Sequence, residues 1–341
     1  MGKEVVRILD LRSDTLTAPS DLMRKAMSEA PVGDDVYGED PTVKRLEQRT
    51  SELIGTETAL FVPSGTMANQ IALLLHTRPG DSVIAEASSH LALFEAGGAA
   101  ALSGIQFETV SRDWAVSELR DAYRGHSMHL ASSAMLVFEN THNVSGGDAR
   151  SLDVSSRALE FAQSKQLKTH LDGARLWNAA VALKTSESNL ARGFDTVSVC
   201  FSKGLGAPVG SALCMSHLNR ERAIKLRKRL GGGMRQSGIL AAACLVSLEN
   251  RQRLAQDHQH ASQLAQALKS SGFDVKSTQC ATNMVYFRDS RNLDRDLVGE
   301  FESMGIRASF IGRGFARLVT HLDLSSEDIK EACSRIRNFK F

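Results

Sequence analysis

A lysine and an aspartate each follow a predicted β-strand of this chain, and together they could hold an aldehyde cofactor. Lys203 comes after the alternating apolar segment Val197–Phe201, and the chain then turns through small residues. Asp172 follows Leu171 in the same way. A lysine amine can form a Schiff base with an aldehyde, and a carboxylate can keep a pyridine nitrogen protonated. The pair therefore predicts pyridoxal phosphate (PLP) as the cofactor.

A phosphate site is predicted upstream, where a short strand turns directly into a helix. The strand Ala59–Val62 leads into a small-residue turn that contains Gly65 and Thr66, and the apolar-periodic helix Ala68–His76 follows. Free backbone N–H groups and the dipole at a helix start both favour an anion. Such turns are common, so the assignment depends on the lysine and the aspartate downstream.

Strands alternate with helices over the first two thirds of the chain, which is typical of an α/β fold with a mainly parallel sheet. A long helical stretch is predicted from Ile239 to about Ser270. Beyond it the pattern changes to short strands, Arg307–Ile311 among them, and two helices. This change predicts a compact α+β C-terminal domain.

The length of 341 residues exceeds what one hydrophobic core usually supports. We expect an N-terminal arm with a short helix (1–30), a large domain that binds the cofactor (31–250) and a small C-terminal domain (251–341).

Arg313 stands between two glycines and is predicted to lie in a loop. The acidic segment Val32–Asp40 lacks the regular oxygen-ligand spacing of a calcium loop, so no metal is expected.

The composition, 42% hydrophobic and 23% charged, is typical of a soluble enzyme. A formal net charge of +2 is too close to neutral to indicate binding to nucleic acid or to a membrane surface. Five widely spaced cysteines predict free thiols in a reducing compartment. The apolar stretch at the N-terminus is too short for a signal peptide. We therefore expect a cytoplasmic protein.

A series of motifs in matching order, from residue 10 to about residue 325, resembles one enzyme family. The motifs are DLRSDTLT, VGDDVYGEDPTV, PSGTMAN, FEAGGAA, ENTHN, LDGAR, SKGLGAPVGS, GGGMRQSGILAAA and ARLVTHLD. Together they are similar to the low-specificity L-threonine aldolases. The resemblance implies an aspartate aminotransferase-like large domain (PLP fold type I) with a mainly parallel seven-stranded sheet, and a smaller α+β C-terminal domain. It also implies PLP-dependent cleavage of L-threonine or L-allo-threonine to glycine and acetaldehyde.

The resemblance assigns several residues to the cofactor. Lys203 resembles the family's Schiff-base lysine, and Asp172 resembles the partner of the pyridine nitrogen. The phosphate is held, in the family, at the positions of Gly65, Thr66 and Ser202.

The resemblance also implies how the substrate is held. His90 matches the histidine that stacks over the cofactor ring. Arg175, which also borders the cofactor, would bind the substrate carboxylate together with Arg317 and Ser13. A planar guanidinium grips a carboxylate through two hydrogen bonds, which fixes the orientation of the substrate. Arg175 could instead serve mainly as an ion-pair partner of Asp172, three residues away.

Two side chains are expected to serve a neighbouring subunit, because the family's active site lies between subunits. Tyr37 and Arg235 would both reach the neighbour's cofactor, Arg235 near the phosphate and Tyr37 as a substrate-binding residue. The family is typically a tetramer built as a dimer of dimers, so we expect self-association.

Cleavage of the Cα–Cβ bond needs a base for the β-hydroxyl group. A histidine suits this role because its ordinary pKa is ~6.5. His90 and His129 are the two candidates, although His90 could simply cap a helix and His129 could be a surface residue.

Other activities remain open on the sequence alone. The alternative is another fold type I enzyme: an aminotransferase, a hydroxymethyltransferase or a β-eliminating lyase. No motif indicates the folate site of a hydroxymethyltransferase, and nothing marks a second-substrate pocket of an aminotransferase. A binding protein without catalytic activity is disfavoured, because Lys203, Asp172, Arg175 and Arg317 are all present.

Overall fold

The computed structural model describes residues 7–312 and 314–339 of the chain. The first six residues of the predicted arm and the predicted loop residue Arg313 therefore lie outside the described residues. None of the helices in the described ranges is both long enough and apolar enough to cross a membrane.

Strands in the described part of the chain form one large sheet and two smaller ones. In chain order they are β1 (Leu9–Asp10), β2 (Thr58–Val62), β3 (Ser82–Glu86), β4 (Gln106–Val110), β5 (Ser133–Glu139), β6 (Lys168–Gly173), β7 (Thr196–Cys200), β8 (Ser211–Met215), β9 (Asp274–Val275), β10 (Met284–Arg288), β11 (Ile306–Arg307), β12 (Ser309–Gly312) and β13 (Phe315–Val319).

Helices connect most of these strands. They are α1 (Asp21–Ser28), α2 (Pro41–Ile54), α3 (Gly65–His76), α4 (His90–Leu93), α5 (Val116–Ala122), α6 (Leu152–Ser164), α7 (Leu176–Leu183), α8 (Glu187–Ala191), α9 (His217–Arg229), α10 (Gly238–Glu249), α11 (Leu254–Ser270), α12 (Leu297–Ser303) and α13 (Ser326–Arg337). Short 3₁₀ turns lie at Asp35–Tyr37 and Arg251–Arg253, and a π-helical turn lies at Ala99–Ser103.

The large sheet has seven strands in the order β2-β8-β7-β6-β5-β3-β4. Strand β8 runs antiparallel to both of its neighbours, β2 and β7, and the other four pairs of neighbouring strands are parallel. The predicted mainly parallel seven-stranded sheet is therefore confirmed. Asp172 on β6 pairs in register with Ser198 on β7. Because β5, β6 and β7 are parallel, their carboxyl ends meet at one edge of the sheet, where ligands of such folds bind.

Both faces of this sheet are covered, as a parallel sheet requires. Successive residues of a strand face opposite sides, so Phe61 of β2 packs in one hydrophobic core while Leu60 and Val62 pack in another. On β5, Phe138 packs in the same core as Phe61, and Val137 packs in the same core as Leu60 and Val62. This burial on both sides makes the sheet a rigid support for groups at its strand ends.

The C-terminal part has its own four-stranded antiparallel sheet, β12-β13-β10-β9, and its own hydrophobic core. Leu9 and Leu11 from the start of the chain belong to this core, and β1 pairs with β11 in parallel. The sequence predicts only an arm and a short helix in this part of the chain. The pairing gives the N-terminal arm buried contacts with a segment almost 300 residues further along the chain, which local periodicity cannot reveal.

Two predicted elements are wrong in their bounds. The helical stretch from Ile239 to Ser270 is broken between α10 and α11 by the turn Arg251–Arg253, where the Arg251 Nε atom donates to a Glu187 carboxylate oxygen at 3.1 Å. Residues 250–253 have no glycine or proline to mark this break. The predicted strand Arg307–Ile311 is in fact two strands, β11 and β12, which pair with different partners.

Candidate active site

Asp172 and Lys203 lie near each other at the carboxyl edge of the large sheet. Asp172 is buried near the end of β6, and Lys203 is half-buried, three residues beyond the end of β7. The charge of Lys203 acts on two further side chains at this edge, Asp14 and His90. The sheet therefore brings together the lysine and the aspartate that the sequence singled out.

Neutral hydrogen-bond donors hold the carboxylate of Asp172. Its Oδ2 atom accepts from Asn69 Nδ2 at 2.9 Å, and its Oδ1 atom accepts from the backbone N–H of Ala174 at 3.1 Å. No ion pair with Asp172 is found among the residues that the structure describes. A buried carboxylate that has donors but no cation suits a protonated pyridine nitrogen, so this donor set fits PLP.

His90 begins α4 and is fixed by two carboxylates. Its Nδ1 atom lies 3.2 Å from Glu95 Oε1, and its backbone N–H donates to Glu139 Oε2 at 2.7 Å. The hydrogen bond to Glu95 raises the pKa of His90 above its ordinary value, and the charge of Asp172 adds to this effect. With Nδ1–H donated to Glu95, the Nε2 lone pair is left to accept a proton.

Glu139 ends β5 beside these groups. Burial and the nearby charge of Asp172 raise the pKa of Glu139 to about 7. Its two oxygens accept from the backbone N–H groups of His90 and Asn143. Glu139 therefore ties the histidine segment to the loop after β5.

The start of α3 is the segment where the sequence predicts a phosphate site. Ser64 caps the helix by accepting from the backbone N–H of Met67, and no partner is found for the amides of Gly65 and Thr66 within residues 7–312 and 314–339. A Cβ atom on Gly65 would lie 2.8 Å from Cys200 Sγ at the end of β7. Only glycine allows this close approach. The approach places two free amides beside the segment that carries Ser202, and this arrangement of N–H donors fits a phosphate group.

Arg175 is buried and already paired. Its Nε and NH2 atoms donate to the two oxygens of Asp14 at 2.8 and 2.6 Å, and Asn283 Nδ2 also donates to Asp14, at 3.1 Å. Burial would raise the pKa of Asp14, but Arg175 and Lys203 lower it to about 2. The ion pair that the sequence suggested with Asp172 is thus made with Asp14 instead. It leaves the NH1 nitrogen of Arg175 for a ligand.

Arg317 on β13 has a different environment. Its NH1 atom donates to Asn143 Oδ1 at 3.3 Å and its NH2 atom to the backbone oxygen of Arg12 at 3.1 Å. Within the described ranges it has no carboxylate partner, and its buried Nε atom has no hydrogen bond. Its charge also acts on the phenol of Tyr286, as does that of Arg175. An arginine without a carboxylate is available to bind an anionic ligand.

The chain matches the family model described as "Beta-eliminating lyase" over residues 10–290. It is 42% identical to the "Low specificity L-threonine aldolase" of Escherichia coli strain K12, over 97% of this chain and 99% of that protein. It is 40% identical to "Low-specificity L-threonine aldolase 1" of Arabidopsis thaliana, over 95% of this chain and 94% of that protein. The chain belongs to this family of beta-eliminating lyases and threonine aldolases.

Solved structures agree on the fold. A threonine aldolase from Leishmania major has a TM-score of 0.82 at 20% identity and covers 96% of this chain and 98% of its own. A serine palmitoyltransferase from Sphingomonas wittichii has a TM-score of 0.76 at 17% identity and covers 97% of this chain and 86% of its own. The predicted PLP fold type I architecture is therefore confirmed.

In this aldolase-family chain, three of the predicted site residues are exposed to solvent. Tyr37 is 77% exposed, and the side chain of Arg235 is 82% exposed. His129 is exposed in the loop before β5, at the sheet edge opposite to the strand ends. Ser13 is better placed, because it lies between Arg12 and Asp14, which contact the two arginines.

Sequence reasoning missed Asn69, Glu95 and Asp14 as site residues. Each lies within a motif that carried the resemblance, but none was given a role. A usable signal existed: Asn69 is a polar residue on the apolar helix α3, and it is four residues, about one turn, after Gly65. The partners Asp172 of Asn69 and Arg175 of Asp14 come from distant segments, so local patterns could not identify these pairs.

The contact between His90 and Glu95 leads to a test by NMR. We expect Glu95→Gln to lower the pKa of His90, because the substitution removes the carboxylate whose hydrogen bond raises it. Less of His90 will then be protonated at neutral pH. The measurement is a histidine NMR titration of the cofactor-free protein, with Glu118→Gln, a half-buried glutamate bonded to Ser111, as control. An unchanged pKa in Glu95→Gln would assign the shift to another group.

Proposed function

We propose that this chain cleaves L-threonine and L-allo-threonine to glycine and acetaldehyde with PLP as cofactor, in threonine breakdown and glycine formation. The observation that carries the proposal is the meeting of Lys203, Asp172, His90 and Arg317 at one sheet edge. It is supported by 42% identity, over nearly the whole chain, to a protein named as an aldolase of this kind.

The residues present would hold PLP as follows. Lys203 would carry it covalently, Asp172 would face its pyridine nitrogen, and His90 would lie over its ring. The free amides of Gly65 and Thr66 would bind the phosphate, with the Ser202 hydroxyl beside them. When bound, PLP supplies an electron sink for the pair released from the broken Cα–Cβ bond.

The side chains of this protein would then bind and orient the substrate. Arg317, with no carboxylate of its own, would grip the substrate carboxylate, with the open nitrogen of Arg175 and the Ser13 hydroxyl beside it. This grip fixes which bond at Cα stands perpendicular to the cofactor ring, and so which bond breaks. The two arginines therefore select Cα–Cβ cleavage.

A histidine would take the proton of the β-hydroxyl group as the bond breaks and acetaldehyde leaves. His90 lies at the candidate site of its own chain, and its raised pKa makes its imidazole a stronger proton acceptor. His129 remains the second candidate; it lies in the loop before β5, at the opposite end of that strand from Glu139, so a neighbouring subunit would have to supply it.

Cleavage of threonine is tested by an assay for acetaldehyde with L-threonine, L-allo-threonine and D-threonine. We expect product from the first two, and a loss of at least about 1,000-fold in Lys203→Ala, because the covalent attachment of the cofactor is lost. Lys168→Ala, a partly exposed lysine of β6 paired with Asp195, is the matched control. Borohydride reduction and peptide mapping should label Lys203. 2-Oxobutanoate and ammonia without acetaldehyde would favour the alternative, a β-eliminating lyase, as the family model's name suggests.

The substrate-carboxylate role of Arg317 is tested by Arg317→Lys. We expect kcat/KM to fall by about 10- to 100-fold, because a lysine cannot form the two-point contact worth about 1.5–3 kcal/mol. PLP affinity should persist. Arg288→Lys, on the neighbouring strand and paired with Asp274, is the control. Loss of PLP binding or of the fold in Arg317→Lys would make the arginine structural.

Self-association into a dimer or tetramer with shared sites is part of the proposal. Arg235 and the Tyr37 segment lie together: the backbone N–H of Asp35 donates to the Arg235 oxygen at 3.0 Å, and Arg235 Nε is 3.5 Å from Asp34 Oδ2. Both Tyr37 and Arg235 side chains are exposed. A two-fold axis would place this surface at a neighbour's cofactor, and the neighbour's copy of the surface at this chain's cofactor.

We further propose a cytoplasmic location, supported by the five free cysteines.

Mixing inactive Lys203→Ala and Arg235→Ala subunits tests the shared site. One site of each mixed dimer would carry neither change, so equal mixing should recover about a quarter of the wild-type activity. Lys203→Ala mixed with Asp172→Ala is the control, because both residues serve the same chain's site and no intact site can form. If mixed dimers form and the first mixture stays inactive, Arg235 acts within its own chain.

A further inference from the structure

Asn69 makes four hydrogen bonds beneath the candidate site and is itself buried. Its Nδ2 atom donates to Asp172 Oδ2 at 2.9 Å and to Glu95 Oε1 at 2.7 Å. Its Oδ1 atom accepts from Ser198 Oγ at 2.8 Å and lies 3.1 Å from His170 Nε2. The amide thus uses both N–H groups and both lone pairs of its oxygen.

The chemistry of the neighbours fixes how this amide is oriented. Ionised carboxylates only accept hydrogen bonds, so the NH2 group must face Asp172 and Glu95, and His170 Nε2 must donate to the oxygen. Burial lowers the pKa of His170 to about 4, so its ring is neutral and carries one proton. Its Nδ1 atom then accepts from the hydroxyl of Thr196, 2.9 Å away.

The two carboxylates that share Asn69 serve different parts of the site. One oxygen or nitrogen atom from each of His90, Glu95 and Asp172 lies within 4.8 Å of the others. Glu95 holds the imidazole of His90, and Asp172 is the partner expected for the pyridine nitrogen. Like charges so close repel each other unless donors lie between them, and the NH2 group of Asn69 supplies one donor to each.

We propose that Asn69 is a positioning residue that fixes Asp172 and the Glu95–His90 pair in one geometry around the PLP ring. The proposal rests on the proposed function only for the identity of the cofactor. Ser198 and His170 hold the amide from behind, so it cannot rotate to present its oxygen to a carboxylate. Loss of this amide should disturb cofactor binding and the titration of His90 together.

The test measures two properties that do not involve turnover: the Kd for PLP, by absorbance titration, and the pKa of His90, by NMR of the cofactor-free protein. Asn69→Leu has a similar volume and no hydrogen-bonding groups. We expect PLP affinity to fall about 10- to 100-fold, as for the loss of a charge-assisted hydrogen bond. The pKa of His90 should rise, because Glu95 loses another donor and binds the imidazolium more strongly.

Gln70→Leu is the matched control. Gln70 neighbours Asn69 on α3 and donates to Glu95 Oε2 at 2.8 Å, and no hydrogen bond from it to Asp172 is found within the described ranges. We expect this variant to raise the pKa of His90 and to leave the Kd for PLP within about twofold of wild type. A general loosening of the helix would instead move both properties in both variants, and would overturn the proposal.

Ser198→Ala provides a second variant in case Asn69→Leu does not fold. It removes one donor to the Asn69 oxygen and a single side-chain atom, so PLP affinity should fall about two- to tenfold. Unchanged PLP affinity and an unchanged His90 pKa in the folded variants would overturn the proposal. Wild-type protein that binds PLP but releases no acetaldehyde would overturn the proposed function and leave the role of Asn69 standing.

Discussion

The support of a buried carboxylate at a strand end is the interaction on which the rest of the site depends. Asp172 is almost inaccessible to water, and a carboxylate is costly to bury unless donors surround it. Two neutral donors do so, the amide of Asn69 and the backbone N–H of Ala174. Because these donors carry no formal charge, the negative charge of Asp172 remains available to a cation at this sheet edge.

Helix α3 links this carboxylate to the proposed phosphate site. Its first turn presents the free amides of Gly65 and Thr66, and Asn69 follows about one turn later on the same side of the helix. Close contact between Gly65 and the end of β7 fixes the helix against the strand that leads to Lys203. The spacing between the free amides of Gly65 and Thr66 and the carboxylate of Asp172 is therefore determined by a single turn of one helix and one glycine.

The main parts of the fold and the site could be predicted from the sequence because their signals are local. Lys203 follows an apolar strand and Asp172 lies near the end of one, and alternating strands and helices indicate a parallel sheet. The side-chain partners could not be predicted: Arg175 has Asp172 three residues away but pairs with Asp14, which comes from a remote part of the chain. Asn69 presents the same difficulty. A polar residue on a mostly apolar helix does not indicate which distant strands will meet it.

The two arginines differ in how their positive charges are neutralised. Arg175 is neutralised by Asp14, which Lys203 also helps to keep ionised, so this ion pair changes the net charge very little. Arg317 has only neutral partners within residues 7–312 and 314–339, the side chain of Asn143 and a backbone oxygen. An incoming carboxylate therefore gains most from Arg317, whose charge it neutralises, while the rigid Arg175 contributes direction. An arginine fixed by a carboxylate orients the ligand, and an arginine without one attracts it.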